Sequence, residues 1–183
     1  MRKKIKRLIT GILIFSSLNV FSETDHHQHG SHVHGEAVLN LAIENKTILI
    51  EFESPAMNII GFEHEPKTEE QISITNEANQ LLRDYSNLLT IPGSQCKQTE
   101  STLEFAHDVD KEDSHHNDHH GHEEAHSDYH LIYTVSCDSL TELKIQINLF
   151  KHFPGVEHAN LNWISEQKQG KLELSPENNI VEL

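Results

Sequence analysis

The sequence predicts an α+β fold: a mainly antiparallel β-sheet with one long amphipathic helix and a disordered His-rich loop. Three observations lead there. Segments of apolar–polar alternation recur along the chain, joined by short turns and not by crossover helices. One window, residues 69–89, spaces its apolar residues at helical intervals instead. A third stretch, residues 107–127, is built mainly from His, Asp, Glu, Asn, Ser and Gly, and has too little apolar surface to order itself.

Taken in order, the chain opens with Met1-Arg2-Lys3-Lys4-Ile5-Lys6-Arg7, five positive charges and no acid, followed by a mostly apolar run from Leu8 to Phe21. A basic segment before a short apolar one is the layout of a secretory signal peptide. The run is 14 residues, and a membrane-spanning helix needs roughly 20. Val20 and Ser22 suit the small-residue positions before a cleavage point. The expectation is a signal peptide over 1–22, a single metal-binding domain over 23–183, a periplasmic location, and no membrane span after cleavage. The competing reading is an uncleaved N-terminal anchor, for which the apolar run is short.

Ala37, Leu39, Leu41 and Ile43 alternate along a first strand, and Ile48, Ile50 and Phe52 along a second. Glu44-Asn45-Lys46 turns between them, making a hairpin that Ser54-Pro55 ends. Residues 56–67 read as irregular. Thr68 with Gln71 is a capping-box pattern. Ile74, Ala78, Leu81, Leu82, Tyr85, Leu88 and Leu89 then follow at helical spacing, predicting one helix from Glu69 to Leu89, closed by Pro92-Gly93. Residues 95–105, 129–137 and 143–150 read as strands. Residues 159–165 and 171–174 form a second hairpin around Gln169-Gly170, and residues 180–183 add a short edge.

Removing residues 1–22 leaves nine basic residues against 29 acidic ones. That balance argues against nucleic acid, whose phosphates are bound through Lys and Arg, and favours cations. An acidic surface also serves solubility. Cys96 and Cys137 are the two cysteines. In an exported protein an even pair reads as a disulfide, here tying off the base of the His-rich loop. Thiolate ligation of a metal is the alternative, and it lacks a CxxC spacing.

Histidine is the anomaly, with 16 in 183 residues. His26, His27, His29, His32 and His34 lie in one short segment. His107, His115, His116, His119, His120, His122 and His126 lie in the central loop, and His130 follows. Neutral imidazole ligates zinc, copper, nickel and cobalt. Zinc sites take about three or four such ligands. His32 and His34, at i and i+2, share a side of an extended segment, and His26, His27 or His29 can supply a third ligand. Asp and Glu interleaved with the loop histidines favour cation capture. An artificial tag or incidental polar filler does not account for two irregular clusters, one of them mid-chain.

His122-Glu123-Glu124-Ala125-His126 matches the H-E-x-x-H pattern of zinc proteases. That motif needs a buried helix, and this segment is low in apolar residues, so chance explains the match and no enzyme is expected. His64 stands alone between Glu63 and Glu65. It is either a ligand in an ordered site or a residue that fixes its loop by a hydrogen bond.

Four elements carry a family resemblance: His32-Val33-His34-Gly35-Glu36-Ala37; Ser54-Pro55-Ala56-Met57-Asn58-Ile59-Ile60-Gly61-Phe62-Glu63-His64; the strand ending at Cys137; and Asn148-Leu149-Phe150 before Phe153-Pro154. Together they resemble the ZrgA-type zinc-regulated periplasmic proteins, over nearly the whole chain after residue 22. The resemblance implies a zinc-binding protein without catalysis that assists uptake alongside a zinc ABC importer or its binding protein. It maps the His-x-His pair to His32 and His34, and the Gly-Phe-Glu-His element to Gly61, Phe62, Glu63 and His64.

The expected function is therefore capture of Zn²⁺ by the His-rich segments, with a tighter site built from His32, His34 and His64. Three rivals stand beside it. One is a periplasmic buffer against excess zinc, copper or nickel. Another is a zinc-dependent hydrolase, which needs an ordered open site. The third is an interaction module whose loop is only a tether. Copper(I) ranks lower, since Met57 is the one methionine after residue 22.

Overall fold

The computed structural model describes residues 33–108, 126–141 and 143–183. The expected signal peptide, His26, His27, His29, His32 and residues 109–125 of the expected loop lie outside them.

Among the described residues nine strands form two sheets. The larger takes β1 (Glu36–Glu44), β2 (Thr47–Pro55), β4 (Cys96–Asp108), β5 (His126–Cys137), β7 (His158–Ser165) and β8 (Gln169–Leu174). Their spatial order is β4-β5-β2-β1-β7-β8. Every pairing is antiparallel except β1 with β7, which is parallel. The smaller sheet joins β3 (Leu89–Thr90), β6 (Lys144–Ile147) and β9 (Ile180–Glu182) in the order β3-β6-β9.

The α+β class with one long helix is overturned: the fold is β-rich, and its helices are short. They are α1 (Ala56–Ile60), α2 (Glu69–Leu82) and α3 (Leu149–His152). The helix expected to run to Leu89 stops at Leu82 for a local reason. Asp84 is extended, and its side chain accepts from Ser86 N (2.9 Å), opening a 3-10 turn over Tyr85–Asn87. An Asp that bonds its own downstream backbone competes with the helix for that backbone. Ile74, the first residue of the expected apolar stripe, is exposed, as is Ile72 beside it, and only Ala78 and Leu82 of α2 are buried. The capping box at Thr68 and Gln71 is present as expected.

One core serves both sheets. The inward residues of β1, β2 and β5 alternate cleanly: Ala37, Leu39 and Leu41; Ile48, Ile50 and Phe52; Tyr129, Leu131, Tyr133 and Val135. From the other side come Leu82, Leu88, Leu89, Ile145, Ile147, Leu149 and Val181. Full burial of each such side chain contributes about 1.5–3 kcal/mol. Because strand residues alternate between faces, the opposite face of the large sheet carries Asn40, Glu51, His130 and Asn162, all only half-buried. That face is open.

The cysteines form a disulfide, directly paired across β4 and β5. It closes the hairpin at the end away from the His-rich segment: Cys96 begins β4, whereas the loop leaves β4 after Asp108. The expected placement at the base of the loop is thereby corrected. Both strands also run further towards the loop than expected, with Asp108 pairing His126.

Candidate metal centre

The topology brings the strand ends that flank the His-rich segments to one end of the large sheet. β1 begins there, just after His34. β2 ends there, with Pro55 opposite Asp128. β5 starts and β4 finishes there, at His126 and Asp108. The parallel β7 begins there too, with His158 opposite Glu36. His34, Asp108 and His126, the described residues that flank the His-rich segments, therefore share a common pole.

Asn58 organises that pole. It is buried on α1, and its amide makes three bonds: Gly35 N donates to Oδ1 (2.8 Å), and Nδ2 donates to Glu36 O (2.8 Å) and Ser54 Oγ (3.2 Å). Gly35 takes a left-handed φ of 86°, a backbone state that glycine adopts without strain. Its carbonyl accepts from the backbone of Glu157 (2.7 Å) and His158 (2.9 Å). Gly155 passes so close to Asn58 that a Cβ there would meet Asn58 O at 2.5 Å. The turn holding His34 is thus clamped from both sides.

His34 Nε2 donates to Glu63 Oε1 at 2.8 Å. The imidazole is 57% exposed and the carboxylate 14% exposed, so the pair sits at the surface with its acid end sheltered. The backbone carbonyl of Glu63 accepts from the hydroxyl of Ser127, which is fully buried where the His-rich segment rejoins the sheet. One residue thereby links the N-terminal segment to the root of the loop.

His64 faces elsewhere. Its ring stacks on Phe62, with centroids 5.1 Å apart. Nδ1 donates to Glu65 O (3.0 Å), and Nε2 accepts from Gln71 Nε2 (3.4 Å). Gln71 Oε1 in turn accepts from Lys67 N (2.9 Å) and Thr68 N (3.3 Å) at the start of α2. In this arrangement His64 fixes its loop. His34, Glu63 and His64 do not bring three ligand atoms within 4.8 Å of one another. His32, the third member of the expected tight site, lies outside the described residues. So do His115, His116, His119, His120 and His122, while His126 is placed only by its backbone at the start of β5.

A second group stands on the open face. His130 Nε2 donates to Glu51 Oε1 (2.9 Å) and lies 4.0 Å from Glu53 Oε1, with Nδ1 3.8 Å from Glu104 Oε2. Among the described residues Glu51, Glu53 and His130 are the set whose ligand atoms all fall within 4.8 Å. The hydrogen bond from His130 holds the Glu51 carboxyl below its ordinary range; Asn40 adds to that, and partial burial opposes it. Sequence reasoning counted His130 with the loop cluster but assigned it no role. The signal was present: if Ile48, Ile50 and Phe52 face inward, Glu51 and Glu53 share the outer face. What the sequence lacked was the pairing of β2 with β5, which sets His130 opposite Glu53.

Imidazole nitrogens and carboxylate oxygens are the donors zinc accepts in proteins. Neighbouring Tyr129 lies on the inward face of β5, in the core, where burial pushes its phenol up to about 12. No helix among the described residues is long and apolar enough to cross a membrane. No curated protein matches the chain. A family model described as "ZrgA family zinc uptake protein" matches residues 31–183, which span the clamped His34 turn, the Glu63 loop and both sheets. The chain belongs to the ZrgA family of zinc uptake proteins.

Proposed function

We propose that this protein captures Zn²⁺ in the periplasm through its two His-rich segments and passes it to a zinc ABC importer or that importer's binding protein. In this reading residues 1–22 are the export signal and residues 23–183 a single metal-binding domain. The observation that carries the proposal is that the start of β1, just after His34, and the ends of β4 and β5 that flank the central loop lie at one pole of the sheet. Ligands from both segments then share one neighbourhood, and tethering raises their effective concentration for a common ion. His34 is held at the junction by Asn58 and Glu63, so at least one imidazole is placed in advance. The surplus of acids favours accumulation of cations around this pole.

The uptake direction is tested by growth. Cells lacking the protein are expected to grow more slowly than the parent when zinc is chelated and to match it when zinc is replete. Greater sensitivity to excess zinc, with no defect under chelation, would assign the protein to buffering instead.

A further inference from the structure

We propose that the open face of the large sheet carries a separate divalent-cation site, in which His130 Nε2, Glu51 and Glu53 ligate the ion. Three observations support it. The first is a charge imbalance. One imidazole stands among three carboxylates, Glu51, Glu53 and Glu104, and among the described residues none of the three is paired with Lys or Arg. A protonated His130 neutralises one of them at most. A divalent cation neutralises two.

The second is geometry. Tetrahedral coordination at about 2.0–2.2 Å per ligand sets neighbouring ligand atoms roughly 3.4 Å apart. The Nε2–Oε1 separations of 2.9 Å to Glu51 and 4.0 Å to Glu53 bracket that value. Small side-chain rotations suffice, since all three groups are half-buried or exposed on a rigid sheet.

The third is the surrounding support. Asn40 Nδ2 donates to Glu51 Oε2 (2.9 Å), and Asn162 Nδ2 donates to Asn40 Oδ1 (2.9 Å). This chain of amides crosses β7, β1 and β2 and holds one carboxylate oxygen, leaving Oε1 directed at His130. On the other side Glu104 lies beside Nδ1. A carboxylate that accepts a hydrogen bond from Nδ1–H keeps the proton there and leaves the Nε2 lone pair for metal, the usual arrangement around zinc-bound histidine. The donor set is one nitrogen and two carboxylate oxygens without sulfur, which selects zinc-like divalent ions over copper(I). His130 lies four residues into the strand that begins at the root of the His-rich loop. That zinc is the physiological ion rests on the proposed uptake function; the existence of the site does not.

The test is anomalous diffraction at the zinc edge on crystals of the mature full chain grown with zinc chloride, paired with calorimetric titration of Zn²⁺. The expected result is a zinc peak between His130, Glu51 and Glu53. His130→Ala should remove that peak and about one equivalent of bound zinc, leaving other zinc in place. Asn40→Ala should weaken the same site about 10- to 100-fold without touching a ligand. Circular dichroism checks that each variant is folded. Zinc bound elsewhere, with this position vacant and the His130→Ala stoichiometry unchanged, would overturn the site and spare the uptake reading. Zinc bound nowhere would overturn both.

Discussion

Ser127 donates its hydroxyl to the backbone carbonyl of Glu63, and the Glu63 carboxylate accepts from His34. Two residues separated by 64 positions thereby couple the return of the His-rich loop to the turn at the start of β1. Ser127 is fully buried, so Ser127→Ala removes a hydrogen bond at a buried position. It should cost about 1–3 kcal/mol. Urea unfolding followed by the fluorescence of Trp163, the single tryptophan, measures it directly.

Asn58→Leu should be more damaging. It removes three hydrogen bonds at once and leaves Gly35 N and Glu36 O without their partner. A loss of about 2–4 kcal/mol is expected. Asn58→Asp keeps the acceptor for Gly35 but sets a carboxylate oxygen against Glu36 O, so it should not rescue. A fully stable Asn58→Asp would show that the clamp does not depend on the amide.

Reduction of the Cys96–Cys137 bridge, 41 residues apart, should destabilise the fold by roughly 4 kcal/mol on the chain-entropy model. The bridge sits at the end of the hairpin away from the His-rich segment. Reduction should therefore lower the unfolding midpoint while leaving zinc stoichiometry unchanged in protein that stays folded.

Glu51 supplies a pH dependence with a definite sign. Its folded pKa lies below the unfolded value of 4.5, chiefly through the bond from His130. A depressed carboxyl contributes stability above its unfolded pKa and loses it as pH falls through the folded one. Wild type should therefore exceed Glu51→Gln in stability at about pH 6, and the difference should shrink at about pH 3. Equal stability at the higher pH would show that the His130–Glu51 contact contributes nothing to folding.

Much of this was legible from alternation alone. Leu39, Leu41, Ile48, Ile50 and Phe52 are inward because strand side chains have a period of two, and the first hairpin follows from it. The helix end was not legible. Tyr85, Leu88 and Leu89 continue the helical spacing, yet they reach the core from a 3-10 turn and a two-residue strand. Spacing does not distinguish those routes. Residues 143–150 read as one strand, but the chain turns at Asn148, whose Nδ2 donates to Ser86 O (2.8 Å), and α3 follows. The second strand of the second hairpin starts two residues before the expected 171: β8 begins at Gln169, and Gly170 lies under the Trp163 ring, which a Cβ would approach to 2.7 Å. The parallel pairing of β1 with β7 depends on strand order, which no local pattern carries. The candidate metal groups divide the same way. His34 was legible from its spacing, whereas its partner Glu63 and the Glu51–Glu53–His130 set depend on which strands lie side by side.

The most direct test of zinc capture is calorimetric titration of Zn²⁺ into the metal-stripped mature protein at neutral pH. It is run beside a variant in which His115, His116, His119, His120 and His122 are replaced by alanine. Several equivalents should bind to the parent and fewer to the variant, with binding weakening as pH falls through about 6.5, where imidazole gains a proton. No binding tighter than roughly 10 µM in either protein, about −7 kcal/mol, would contradict the account.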